Sequence, residues 1–122
     1  MGSEKGLESL KVWQRGMEFA VEIHKNVLSL FPPEEKWALT NQLRRASQSI
    51  PANIAEGYGR YYYQEGIRFC YLARGSLEEV YSHLVLTQKL KYLDSRISQS
   101  LFEEISEIRR MLNGYIGFFE AE

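Results

Sequence analysis

Apolar residues recur at steps of three and four along almost the whole chain, the spacing of one face of an α-helix. Leu10, Trp13, Met17, Ala20, Val21, His24, Val27 and Leu28, followed by Phe31, predict a first helix from about Ser9 to Leu30. Lys11, Arg15, Glu18, Glu22 and Lys25 occupy its other side, where mixed signs make a solvated face. Pro32-Pro33 stops that helix, because neither residue donates a backbone hydrogen bond. Glu34 and Glu35 then open a second helix, where negative charge suits the N-terminal dipole. Its inward stripe is Leu39, Leu43, Ala46, Ile50, Asn53 and Gly57, with Trp37 and Ile54 alongside. Gly57-Tyr58-Gly59 predicts a left-handed glycine cap. A third helix follows from about Tyr62 to Leu90, with Ile67, Cys70, Ala73, Leu77, Val80, Leu84 and Thr87 on one stripe. Phe69, Leu72, Ser76, Leu86, Leu90 and Leu93 make a second stripe on the same helix. The fourth helix, capped by Asp94 or Ser95, carries Ile97, Leu101, Ile105, Ile108, Leu112, Tyr115, Ile116 and Phe119.

Four long helices joined by short turns predict an all-α, up-down-up-down four-helix bundle. The second helix should be kinked at Pro51, which lacks the amide that would bond the Ser47 carbonyl. At 122 residues the chain is one domain by size, read as a loose or tag-like segment at 1–8 and a bundle at 9–122. A third helix that is apolar on two sides has more surface to bury than one neighbour covers, which predicts a homo-oligomer. No apolar run approaches a membrane span and the N-terminus is too polar for a signal peptide, so the expected location is cytoplasmic, with no membrane partner.

Charge adds a regional contrast that the net value of −1 conceals. Residues 36–74 hold six basic side chains against two acidic ones, while both flanking thirds are acidic. Arg44 and Arg45 precede Pro51, Arg60 and Arg68 follow the Gly57–Gly59 turn, and Tyr58, Tyr61, Tyr62 and Tyr63 interleave with the latter pair. Arginines bind phosphates and exposed tyrosines stack on unpaired bases, so Arg44, Arg45, Arg60, Arg68, Tyr61 and Tyr62 form a candidate RNA- or DNA-binding set. The competing reading has the tyrosines packing a bundle end and the arginines paired to acids on other helices.

Catalytic and metal chemistry find little support. A di-iron bundle needs Glu-x-x-His, but Val21 and Val80 stand three residues before His24 and His83. Cys70 is the single cysteine, which excludes an internal disulfide and predicts a buried thiol. Adjacent Glu78 and Glu79 point about 100° apart on a helix, so one should be exposed and the other paired across to a basic residue. No cofactor, metal site or enzymatic activity is expected. Asn53 and Glu56, one turn apart, are expected to serve architecture with Pro51 and Gly57, either fixing helix register or satisfying the backbone freed by the proline.

Three blocks carry a family resemblance: LKVWQRGMEFAVEIHK, LTNQLRRASQSIPANIAEGYGR and FCYLARGSLEEVYSHL. They resemble the proteins encoded in intervening sequences of bacterial 23S rRNA genes, also called the S23 ribosomal protein family. The matching positions include Arg44, Arg45, Ile50, Pro51, Asn53, Ile54, Ala55, Glu56, Gly57, Gly75, Ser76, Leu77 and Glu78. The resemblance implies a four-helix bundle assembled as a homopentamer, with no established enzymatic activity. A similar fold in the accessory variability protein of diversity-generating retroelements implies nucleic-acid or protein partners reached through a basic surface. The sequence reading is therefore a non-enzymatic oligomeric bundle scaffolding RNA or nucleoprotein assemblies, with a protein-interaction module that binds no nucleic acid as the alternative.

Overall fold

Four helices carry the chain: α1 (Lys11–Glu22), α2 (Leu39–Tyr58), α3 (Tyr63–Lys89) and α4 (Ser95–Ala121). The computed structural model describes residues 6–60 and 63–121, so Tyr61, Tyr62 and the first five residues of the expected loose N-terminus lie outside the described residues. Leu7–Ser9 forms a 3-10 turn ahead of α1, held by the Gln14 side chain donating to the Glu8 carbonyl at 2.6 Å. After Glu22 the helical path continues through a wider π turn at Ile23–Val27 and a 3-10 turn at Leu28–Leu30, reaching the predicted stop.

The second helix does not open at Glu34. Pro33–Glu35 is a separate 3-10 turn, and Ala38 leaves helical geometry at φ −120°, ψ −103°. Glu35 explains the break. One carboxylate oxygen accepts the Leu39 amide at 3.3 Å and the other accepts the Tyr92 hydroxyl at 2.8 Å. Its side chain therefore caps α2 from outside and ties the α1–α2 connection to the α3–α4 turn. Phe31 packs against Tyr92 in the same place, with ring centroids 5.9 Å apart. Trp37, expected beside the inward stripe, falls in this connection and is 81% exposed.

Packing pairs run in opposite directions along successive helices. Gly16 of α1 faces Ile50 and Ile54 of α2, and His24 reaches Arg44. Gly57 of α2 lies against Gly66 of α3, and Ser49 meets Ser76. Tyr71, Arg74 and Glu78 of α3 meet Glu120, Asn113 and Arg109 of α4. α4 closes on α1 through Arg15 and Glu104, 3.0 Å apart. One core runs between the four helices, including Phe19 of α1 and Ile23 just after it, Leu43, Ile50 and Ile54 of α2, Leu77 and Leu84 of α3, and Ile105, Ile108 and Leu112 of α4. Each such side chain contributes roughly 1.5–3 kcal/mol by leaving water.

The first stripe of α3 and the stripe of α4 face the core in the phase the periodicity predicts. In α1 the buried residues are Val12, Gly16, Phe19 and Ala20; Ala20, Val27, Leu28 and Phe31 of the expected stripe are buried, while its Met17 and Val21 are exposed. Phe69, half-buried, and Leu93, buried, leave Leu72, Leu86 and Leu90 as the exposed part of the second α3 stripe.

The glycines near residue 58 also act differently from expectation. Gly59 has φ −81° and ψ −3°, so α2 ends right-handed. Gly57 is needed for closeness: a Cβ there would stand 2.9 Å from the Gly66 carbonyl oxygen and 3.0 Å from the Phe69 Cβ. The left-handed cap occurs instead at Lys91 after α3, at φ 65°. There the Tyr92 amide returns to the Thr87 carbonyl and the Lys91 amide to that of Gln88, both at 3.0 Å. That conformation costs a residue with a side chain roughly 1–2 kcal/mol. Asp94 caps α4, its Oδ1 accepting the Ile97 amide at 2.9 Å.

Gly57→Ala should destabilise the protein by about 1–3 kcal/mol, because its neighbours at the crossing are backbone and a Cβ that cannot swing away. Gly75→Ala meets open space and should stabilise by about 0.5–1 kcal/mol through helix propensity alone. Urea denaturation of the two variants should therefore move in opposite directions.

Candidate nucleic-acid interface

The basic residues of the middle third do not converge on one point. Arg44 and Arg60 are separated by about 24 Å along the α2 axis at 1.5 Å per residue. Arg44 and Arg45, neighbours in sequence, project about 100° apart. Arg44 turns toward α1, its Nη1 3.4 Å from His24 Nδ1, while His24 Nε2 lies 3.3 Å from the Arg44 carbonyl. A guanidinium only donates, so Nδ1 accepts and Nε2–H donates back to the backbone. His24 is thus a satisfied histidine at a helix interface. Arg45 turns the other way, into a shallow groove between α2 and α3 lined by Gln42, Gln48, Ser49 and Glu79.

At the far end of α2, Arg60 pairs with Glu56 of its own helix and lies over the Phe69 ring at 4.8 Å. Arg68 is exposed, one turn before Leu72 on α3. Among the described residues Arg44, Arg45 and Arg68 have no carboxylate partner, and none of the four arginines pairs with an acid on another helix. The cross-helix pairs are Arg15–Glu104 and the two-pronged Arg109–Glu78 contact at 2.6 and 2.9 Å, which holds the Glu78 carboxyl below its ordinary range. Glu79 is exposed beside His83, so the adjacent carboxylates divide as expected.

The Pro51 segment is built from local hydrogen bonds. α2 continues through Pro51 without interruption, and the proline is buried beside Gly16 of α1. Ser47 and Ser49 donate to the carbonyls of Arg44 and Ala46, three residues back, and not to the Ser47 carbonyl that the proline leaves free. Ser49 Oγ is also 2.7 Å from Ser76 Oγ. One hydroxyl carries one proton, so Ser49 donates to Ala46 and accepts from Ser76. Asn53 is half-buried and its side chain donates to the Ser49 carbonyl at 2.9 Å. Asn53 and Glu56 make no hydrogen bond to α3 among the described residues. The polar link between those helices is Ser49–Ser76.

Sequence reasoning missed the connection around Trp37. The amine of Lys36 lies 5.0 Å from the Trp37 ring centroid. A usable signal was present: Trp37 stands two residues before Leu39, a step of about 200° around a helix, which places it opposite a core position.

Among the described residues no group of three or more His, Cys, Asp or Glu side chains is placed to hold a metal, and no helix is long and apolar enough to cross a membrane. Burial pushes the Cys70 thiol up to about 11 and the Tyr115 phenol up to about 12. Both shifts disfavour the ionised, reactive forms.

These features define an all-α four-helix bundle with dispersed, uncompensated arginines. The sequence matches the 23S rRNA-intervening sequence protein family over residues 8–114, and the chain belongs to that family. It is also similar to the crystal structure of a protein of unknown function from the S23 ribosomal protein family of Bacteroides thetaiotaomicron. The TM-score is 0.80 and the identity 26%, covering 87% of this chain and 95% of that one. No curated protein matches the sequence.

The Cys70 thiol gives a pH prediction. Its folded value of about 11 lies above the ordinary 9.0, so the folded protein keeps a proton that the unfolded chain loses across that interval. Stability should be level in this respect below pH 9 and fall as pH rises from 9 to 11, and Cys70→Ala should reduce that slope. A thiol-reactive disulfide reagent at about pH 8 should label the native protein slowly and the urea-unfolded protein at once.

Proposed function

We propose that this chain is a non-enzymatic, homo-oligomeric bundle that scaffolds RNA or nucleoprotein assemblies through the basic residues of its middle third. The observation that carries the reading is the exposure of Arg44, Arg45 and Arg68 without carboxylate partners, in a region of surplus positive charge. Guanidinium groups held on a helical framework and not neutralised internally are suited to phosphate oxygens. Their distribution over two helices, α2 and α3, fits an extended strand or a duplex backbone better than a small anion. A cytoplasmic location accompanies this reading.

Assembly is argued from α3. Leu72, Leu86 and Leu90 share one exposed face of that helix, with Arg68 one turn before Leu72 at its edge. Burying this face between copies removes leucine side chains from water and places Arg68 at the rim, where repetition multiplies the sites that meet phosphate. A pentamer is the stoichiometry that the family resemblance implies. The same face supports a second reading, a protein-interaction module in which α3 receives a different protein and the arginines bind no nucleic acid.

Gel-shift titrations with structured and single-stranded RNA should show binding at low salt that weakens as salt rises. Arg44→Ala with Arg45→Ala and Arg68→Ala should reduce the salt slope by about one for each phosphate that is no longer neutralised. Absence of binding at low salt, or affinity unchanged in the triple variant, would contradict the nucleic-acid role. For assembly, Leu72→Glu with Leu86→Glu should convert a larger species to monomer in light scattering. A monomeric starting protein at micromolar concentration would refute the oligomer.

A further inference from the structure

The end of the bundle where α1 leads to α2 and α3 leads to α4 combines an uncovered indole with a concentration of lysines. Trp37 is the most exposed of the large hydrophobic side chains described, and Leu30 and Leu90 of the same end are also exposed. Lys36 covers one face of the indole at 5.0 Å, which leaves the other face to solvent. Two ties join the connections: the Glu35 carboxylate takes the Tyr92 hydroxyl, and Phe31 packs on Tyr92. Lys36 follows Glu35 and Lys91 precedes Tyr92, so the side-chain bridge between Glu35 and Tyr92 links the two connections that carry these lysines. Of the acids here, Glu35 is engaged with Leu39 and Tyr92, Asp94 caps α4 and Glu34 is exposed beside Glu35, while Lys89 and Lys91 form no ion pair among the described residues.

Lys91 supplies an independent observation. It occupies the left-handed position of the α3 cap at φ 65°, where glycine is unstrained. A lysine there gives up stability to place a cation at this end of the molecule.

We infer that this end is a stacking platform for an unpaired base of single-stranded nucleic acid, with Trp37 receiving the base and Lys36 and Lys91 meeting the flanking phosphates. Every base presents a π-face, so an indole backed by an ammonium recognises a strand with little regard to sequence. Arg44 lies about 8 Å along α2 from its first residue, Leu39, and so continues the cationic path from this end. The inference rests on the proposed nucleic-acid role and specifies its substrate as a strand with unpaired bases, not a duplex.

Fluorescein-labelled oligoadenylate and an RNA duplex of the same length, titrated against the full chain at low salt, test this. Trp37→Ala should weaken oligoadenylate binding about fivefold to a hundredfold, the loss of one base–aromatic stack. Trp37→Phe should retain much of the affinity, and duplex binding should change little. Lys91→Gly should raise the urea midpoint while weakening oligoadenylate binding. Oligoadenylate should also quench the fluorescence of Trp37 in a Trp13→Phe background. Oligonucleotide binding that ignores Trp37→Ala overturns the platform and leaves the wider nucleic-acid role standing, whereas no binding to either RNA overturns both. A Trp37 blue shift with phosphatidylglycerol vesicles but no response to oligoadenylate assigns the surface to membranes and overturns the inference. So does an indole shielded from acrylamide in the free protein together with a lower mass for Trp37→Ala in light scattering.

Discussion

The backbone contact between α2 and α3 sets much of the rest. At Gly57 and Gly66 the two helices approach so closely that one added carbon would collide with a carbonyl oxygen. That crossing fixes the register in which Ser49 meets Ser76 and in which the α2 and α3 core rows interlock. It also decides which sides of these helices remain outside. Arg45 falls in the groove between the two helices, and Leu72 and Leu86 are left on the exposed side of α3. A close contact between small residues thus positions both the charged and the apolar surfaces on which function is argued.

Fold class is legible because period 3.6 dominates the chain and interruptions coincide with prolines, glycines and a capping aspartate. Errors arise where local pattern meets a tertiary demand. Glu34-Glu35 has the composition of a helix start, but Glu35 is drawn to Tyr92, 57 residues away, so the helix begins only at Leu39. Met17 and Val21 suggest the α1 core because they are apolar and regularly spaced, yet both are exposed, whereas Trp13 of the same stripe packs against the core. The buried row includes Gly16, whose value lies in allowing Ile50 close, and hydrophobicity does not report that. Gly57 stands out in the sequence as a turn glycine, whereas its actual role is to close a helix crossing, with no left-handed turn.

The candidate surface is legible in composition but not in arrangement. A basic middle third is visible by counting; that Arg44 and Arg45 diverge, and that Arg60 turns back to Glu56, requires the helix and its neighbours. Trp37 escapes notice because the sequence marks it as apolar, while the exposed connection makes it an aromatic tip. Nucleic-acid binding modules commonly join a charged track to an aromatic platform. Here the two elements come from adjacent stretches, residues 36–37 and 44–45, separated by the first turn of α2.

Ultraviolet crosslinking of the protein to single-stranded RNA, mapped by peptide mass spectrometry, tests the central claim most directly. The account predicts crosslinks on peptides containing Trp37 and Arg44–Arg45. Crosslinks confined to α4, or none at low salt, would contradict it.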